Sequence, residues 1–201
     1  MSKKEIQKQR IMGYFIEAAK KIIREEGIKG ITARKVADLA GYSYATIYNY
    51  FSDLDTLLLY CIADFLDECH EYVINDRHPK ELGIDRIKSM TESYVSYFCK
   101  NPNVFSTVFV ENVGNAIPEE LLNRLQPPKI ALLMTEELIK NLNIAQEDQE
   151  LLLILSSIAS NYINGRLLVY FKREPGKDAN QILSEIIKDI MELFKRFTIK
   201  L

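Results

Sequence analysis

Apolar residues recur along this chain three and four positions apart, the spacing of a helix with one face turned inward, and no run alternates apolar and polar residues as a strand does. Ile11, Met12, Phe15, Ala19, Ile22 and Ile23 predict a first helix from about Gln9 to Glu26, ended by Gly27. A polar arm is expected over residues 1–9, and Lys20 and Lys21 on the helix's outer side. A long helix follows from Asp53 to about Asn75, carrying Leu54, Leu57, Leu58, Ile62, Phe65 and Val73. Pro, Gly and charge make residues 75–83 a loop. Residues 84–100 read as helix, Asn101-Pro102 ends it, and a short apolar segment covers 104–113. A helix opening at Pro118 is interrupted at Pro127-Pro128 and resumes over 129–141; helices over 147–172 and 178–197 complete an all-α chain of about nine helices.

One stretch departs from plain amphipathic patterning. Between residues 32 and 51 the chain reads as two short helices joined by a tight turn. Thr32 can cap the first by accepting a hydrogen bond from a first-turn backbone N–H, and Val36, Ala37 and Ala40 give it a small, narrow apolar face. Gly41 stands where the chain must leave the helix with positive φ. Ser43 is expected to cap the second helix, with Ile47 and Phe51 inward. Its outward residues, Tyr44, Thr46, Tyr48, Asn49 and Tyr50, form hydrogen bonds, hold few flexible bonds and carry no charge. A helix-turn-helix places such a helix in the DNA major groove. There hydroxyls can bond phosphates, Asn can pair with adenine, and aromatic groups can meet thymine methyls. The same geometry also occurs in helical hairpins that bind nothing.

The string T-x-R-K-V-A-x-x-A-G-x-S-x-A-T-I-Y-x-Y-F, from Thr32 to Phe51, resembles the DNA-binding signature of the tetracycline-repressor (TetR) family of bacterial transcription regulators. The resemblance reaches back to Arg10 and forward to Leu58, roughly the first quarter of the chain. It implies a DNA-binding domain over 1–52 and a ligand-binding and dimerisation domain over 53–201. Thr32 and Arg34 become contacts at the start of one helix, and Ser43, Tyr44, Ala45, Thr46, Tyr48, Asn49 and Tyr50 the recognition surface. Thr46 and Tyr48 are expected on phosphates, Tyr44 and Asn49 on bases. It further implies a repressor that leaves a palindromic operator when a small molecule binds. One departure matters: many members place lysines just after the aromatic pair, where this chain has Ser52-Asp53-Leu54-Asp55. Ser52 and Asp55 suit a capping box for the next helix, and the N-terminal arm is left as a substitute cation source. The departure also keeps open a regulator acting through protein partners, and an activator is compatible with the same motif.

Charge sharpens this picture. The net charge of −2 argues against a uniformly basic nucleic-acid binder. Residues 1–35, however, hold ten Lys/Arg against four acids, +6, so the remainder carries −8. A basic end on an acidic body is the footprint of a local DNA contact. The N-terminus lacks the apolar core of a secretory signal, and no wholly apolar run reaches the ~20 residues of a membrane span; a cytoplasmic chain is expected. Cys61, Cys69 and Cys99 form no C-x-x-C pair and read as reduced, mostly buried thiols.

No nucleophile elbow, glycine-rich phosphate loop or metal-ligand spacing appears, so neither an enzyme nor a cofactor is expected. The last two helices carry more apolar surface than one stripe needs, which suits a homodimer interface. The resemblance also implies an effector pocket among the long helix, 84–100 and 147–172. Phe65, Tyr94, Tyr97, Phe98, Phe105, Phe109 and Tyr162 are candidate lining, with Asn161, Asn164 and Arg166 as polar anchors. An apolar or aromatic effector fits that list.

Overall fold

A computed structural model describes residues 2–76, 81–114, 116–125, 129–142, 146–174 and 176–198. Among them are ten α-helices and no strand: α1 (Lys3–Glu26), α2 (Ala33–Ala40), α3 (Tyr44–Ile47), α4 (Leu54–Asn75), α5 (Ile84–Lys100), α6 (Pro102–Phe109), α7 (Leu122–Leu125), α8 (Lys129–Leu142), α9 (Gln146–Arg173) and α10 (Ala179–Thr198). Single 3-10 turns occupy Ile28–Gly30 and Glu119–Leu121. The expected break at Pro127-Pro128 and positions 77–80 of the expected loop lie outside the described residues.

The first helix is longer than its apolar stripe implies. It begins at Lys3, so residues 3–9 of the expected polar arm are helical. The cause is a capping box in the run Ser2-Lys3-Lys4-Glu5. The Glu5 backbone N–H donates to Ser2 Oγ (3.2 Å), and the Ser2 backbone N–H donates to the Glu5 carboxylate (2.6 Å). Two orphan donors are thereby satisfied.

The chain forms two compact units, neither contiguous in sequence. One comprises Met1–Asp67 with Asn101–Gln126, the other Glu68–Lys100 with Pro127–Leu201. In the first unit the fully buried Phe15 is the hub. Its ring meets Tyr42 at 5.2 Å, Tyr50 at 6.0 Å and, edge-on, Phe51 at 6.3 Å. Lys20, expected outside, is only 4% exposed. Its ammonium reaches Glu17 (2.7 Å) and Asp64 of α4 (3.4 Å). A buried ammonium needs such partners. Asp64 is shared with Arg124 of α7, which also holds Asp67 (2.7 Å). Asn103 of α6 donates to the Arg24 carbonyl (3.0 Å) at the exposed end of α1. Residues far along the sequence thus complete the unit that begins at the N-terminus.

In the second unit α5 is the central helix. It buries Ile87, Met90, Tyr94, Val95, Tyr97 and Phe98, and also Arg86, Ser89, Thr91 and Ser93. Buried hydroxyls of this kind bond back to carbonyls one turn earlier, as Thr91 does to Ile87 (2.8 Å) and Ser93 to Ser89 (2.8 Å). The Arg86 guanidinium donates to the Val73 and Asp76 carbonyls (3.0 and 3.1 Å), satisfying orphan acceptors at the end of α4. The stretch Gln149–Arg173 of α9 is long and apolar enough to cross a membrane by length and composition. Here it packs on α8 and α10.

Asp53, not the expected Ser52–Asp55 pair, caps α4. The Thr56 backbone N–H donates to Asp53 Oδ1 (2.7 Å), while Ser52 and Thr56 share a hydroxyl hydrogen bond (2.7 Å). That backbone donor, with the Thr56 hydroxyl, holds the Asp53 carboxyl below its ordinary value of 3.8. A depressed folded pKa contributes stability above the ordinary carboxylate range and loses it as pH falls through the folded value. Asp53→Ala should lower unfolding free energy by about 1 kcal/mol at pH 7. In denaturant titrations the deficit should vanish in acid, below that lowered pKa. Gly41 makes a second test. At φ 80° a Cβ there would meet nothing within 4 Å, so Gly41→Ala meets only backbone strain. A loss of about 1 kcal/mol is expected from chemical denaturation.

Candidate nucleic-acid interface

The interface is built by α2, the turn and α3. Thr32 is the N-cap of α2 as expected, its Oγ1 accepting from the Lys35 backbone N–H (3.2 Å). At the other end Gly41 lies in the left-handed region, and the Tyr42 N–H reaches back to the Ala37 carbonyl (2.9 Å). This six-to-one bond marks a Schellman ending and turns the chain sharply into α3. Tyr42 then seats its ring against Phe15 and Tyr14, so the turn is anchored from below.

The second helix is shorter than the spacing predicts. Only Tyr44–Ile47 is α-helical; Asn49 N–H bonds to the Thr46 carbonyl and Tyr50 N–H to that of Ile47, a tightened three-residue pattern. Aromatic, β-branched and Asn residues have modest helix propensity, and the Asp53 cap of α4 follows at once. Ser43 is the N-cap position, but its hydroxyl does not cap a backbone N–H. It pairs with Thr46 Oγ1 (2.8 Å).

The inward and outward sides separate cleanly. Ile47 is 2% exposed and Phe51 is buried with it. Tyr44 and Tyr48 are 57% and 51% exposed, large apolar rings left in solvent on one face. Ser43, Ala45 and Asn49 are also exposed, Thr46 and Tyr50 half-buried. Thr32 and Arg34 are exposed at the start of α2. All nine expected contact residues therefore lie on this helix-turn-helix, seven of them on α3 and its flanks. No Lys or Arg occurs between Lys35 and Arg77, so the recognition face over residues 43–50 is itself uncharged.

The expected effector residues are dispersed. Phe65 and Phe105 are core residues of the first unit, and Phe109 is partly exposed beside Phe105, with ring centres 5.1 Å apart. In the second unit Tyr94, Tyr97 and Phe98 form an edge-to-face cluster on α5. Tyr94 donates to Asn164 Oδ1 (2.8 Å), one of the expected polar anchors. Asn161 is exposed. Tyr162 donates to Asp189; burial and that bond push its pKa up to about 12. Arg166 is engaged by Glu185 (3.0 Å) and Glu174 (3.7 Å). A cavity of about 220 Å³ lies instead against Ile74, Leu82, Arg86, Met90, Leu133 and Lys140. It is smaller than the roughly 300–1,000 Å³ usual for ligand pockets. The cysteines offer no ready nucleophile: burial pushes the Cys61, Cys69 and Cys99 thiols up.

The family model of bacterial regulatory proteins of the tetR family matches residues 15–61. No curated protein sequence matches the chain. Among solved structures, the fatty acid degradation regulator FadR of Bacillus halodurans is similar at 15% identity and a TM-score of 0.65, covering 90% of this chain and 94% of that one. A transcriptional regulator FadR of Bacillus subtilis, in complex with stearoyl-CoA, is similar at 16% identity and a TM-score of 0.66, over 89% and 96% of the two chains. A TetR transcriptional regulator of Rhodococcus sp. RHA1 is similar at 16% identity and a TM-score of 0.60, over 94% and 97%. At such identities the structures speak to fold. The family match falls on the helix-turn-helix and supports a DNA-binding transcription regulator, whose fold is the one these structures share.

Proposed function

We propose that the protein is a homodimeric repressor that holds a palindromic operator and leaves it when a small molecule binds. The carrying observation is the exposed, uncharged face of Tyr44, Thr46, Tyr48 and Asn49 above a buried Ile47. In this reading residues 1–52 bind DNA and 53–201 bind ligand and dimerise. Tyr44 and Asn49 read bases, Thr46 and Tyr48 hold phosphates, and Thr32, Arg34, Ser43, Ala45 and Tyr50 fix the approach.

The dimer rests on α9 and α10. Helix α9 is apolar almost all round. Leu152, Leu155, Ala159, Ile163 and Leu167 are buried, yet Leu151, Ile154, Ile158, Leu168 and Val169 form a second, exposed row. Ile154 and Ile158 are 50% and 55% exposed. On α10, Leu183, Ile187 and Met191 are half-exposed at four-residue spacing. An apolar surface of this kind suits a second copy. Two heads on a two-fold axis would meet major grooves about 34 Å apart.

The effector is taken to be apolar or aromatic and to act in the cytoplasm. The stearoyl-CoA complex of the Bacillus subtilis relative favours an apolar chain. Ligand shifts the population of α4 arrangements and with it the spacing of the heads. A coupling of ~1–3 kcal/mol would weaken operator binding 5- to 150-fold.

Selection from genomic fragments should recover one near-palindromic site; recovery of sequence-independent DNA alone would overturn base reading by α3. On the selected site Tyr48→Ala should weaken binding at least ~10-fold with an unchanged melting curve. Ile158→Glu should convert dimer to monomer in light scattering and keep helical circular dichroism. A monomeric wild-type protein would remove the assigned interface.

A further inference from the structure

We infer that the first turns of α1 are a phosphate clamp for DNA, with Lys4 and Lys8 supplying the cations missing beside α3. The inference rests on the DNA-binding reading and adds a second element to it. Helix α1 extends well beyond what packing requires. Its first buried residue is Phe15, and every residue from Ser2 to Arg10 is exposed, Ile6 included. Apolar burial does not hold these turns in place; the Ser2–Glu5 capping box does. A helix fixed in this way presents its lysines at set positions rather than on a free chain.

The position of that overhang is specific. Lys4, Lys8 and Ile11 follow one another at helical spacing on one face. With Glu5, they line a groove of about 510 Å³ whose opposite wall is Asn49 and Tyr50, the end of the recognition segment. Lys4 and Lys8 are four residues apart, so their Cα atoms stand about 6 Å apart along the axis. One strand of B-DNA carries a phosphate every ~3.4 Å of axis, so two neighbouring phosphates are within reach of two flexible ammonium groups. Neither lysine makes an ion pair among the described residues. Two carboxylates are nearby, and each has its own donor. Glu5 is bonded to the Ser2 N–H, and Glu120 accepts from Tyr60, which with Lys8 holds its carboxyl below the usual range. Lys3 and Arg10 add positive charge on the same overhang.

The geometry resolves an inconsistency within the recognition face. It has hydroxyls and an amide suited to orientation and reading but no cation between Lys35 and Arg77. Duplex binding draws most of its strength from phosphate neutralisation. A groove that opens beside Asn49 and carries two free ammonium groups supplies that term from α1, where sequence would look for it after Phe51.

The test is the salt dependence of binding by the full-length protein to a random-sequence 30-base-pair duplex and to a selected operator fragment. Lys4→Gln/Lys8→Gln keeps helix propensity and touches no buried group. It should reduce the slope of log affinity against log salt by about 3 to 4 for a two-headed dimer, at ~0.9 per lost phosphate contact. At 0.1 M salt it should bind both duplexes at least ~10-fold more weakly, with sequence preference retained. Lys4→Arg/Lys8→Arg should restore slope and affinity. Lys88→Gln, on α5, serves as the charge control and should change neither. An unaltered slope in the double Gln variant, with wild-type binding intact, would overturn the clamp and leave the α3 reading standing. Wild-type protein that binds neither duplex would overturn the DNA-binding reading itself.

Discussion

The burial of Phe15 against Tyr42, Tyr50 and Phe51 is the constraint on which the interface depends. A single α-helical turn, Tyr44–Ile47, cannot hold its own orientation, because a short isolated helix is unstable in water. Its two ends are instead fixed from outside. Tyr42 anchors the entry, Tyr50 and Phe51 the exit, and all three rest on one ring of α1. Ile47 supplies the remaining inward contact. With the ends held, Tyr44 and Tyr48 can stand in solvent without collapsing onto the core, which is the geometry that groove recognition requires.

The same unit draws its stability from a second, electrostatic layer. Lys20 and Arg124 share Asp64, and Arg24 lies 4.9 Å over the Phe65 ring. These contacts join α1, α4 and α7 within one unit. Removing one partner would leave a partly desolvated charge, a larger penalty than the net worth of any single pair. Asn103 on the end of α1 adds a hydrogen bond from α6. The second unit solves a different problem. Its central helix α5 is surrounded on nearly all sides, and its hydroxyls turn back to their own carbonyls while Arg86 closes the end of α4. The polar atoms on α5 therefore report helix completion as much as any binding role.

Much of the interface was legible in the residues. Thr32 as cap, Gly41 at positive φ, Ile47 and Phe51 inward and the uncharged residues outward each follow from local chemistry acting within a few positions. The corrections share one physical cause. Lys20 was expected outside because lysine is usually solvated, and the partner that buries it, Asp64, lies 44 residues away. The polar start of the chain carries no apolar row and so reads as an arm, although the letters of the Ser2–Glu5 box that makes it helical are present. Asp53 displaced Ser52 as the cap of α4 because competing local hydrogen bonds are decided by angstrom-scale geometry.

The aromatic residues mark the limit of such reading. Phe65, Phe105, Tyr94 and Phe98 are identical in pattern whether they line a pocket or fill a core, and here they are buried contacts divided between two units. By itself the sequence determined the helical class, the turn at Gly41 and the chemistry offered to DNA, since these depend on periodicity, backbone freedom and side-chain type. Only the tertiary structure decided which distant segments share a unit, which lysine is buried and which stands beside Asn49. Such choices rest on contacts between residues tens of positions apart, whose free energies no local pattern encodes.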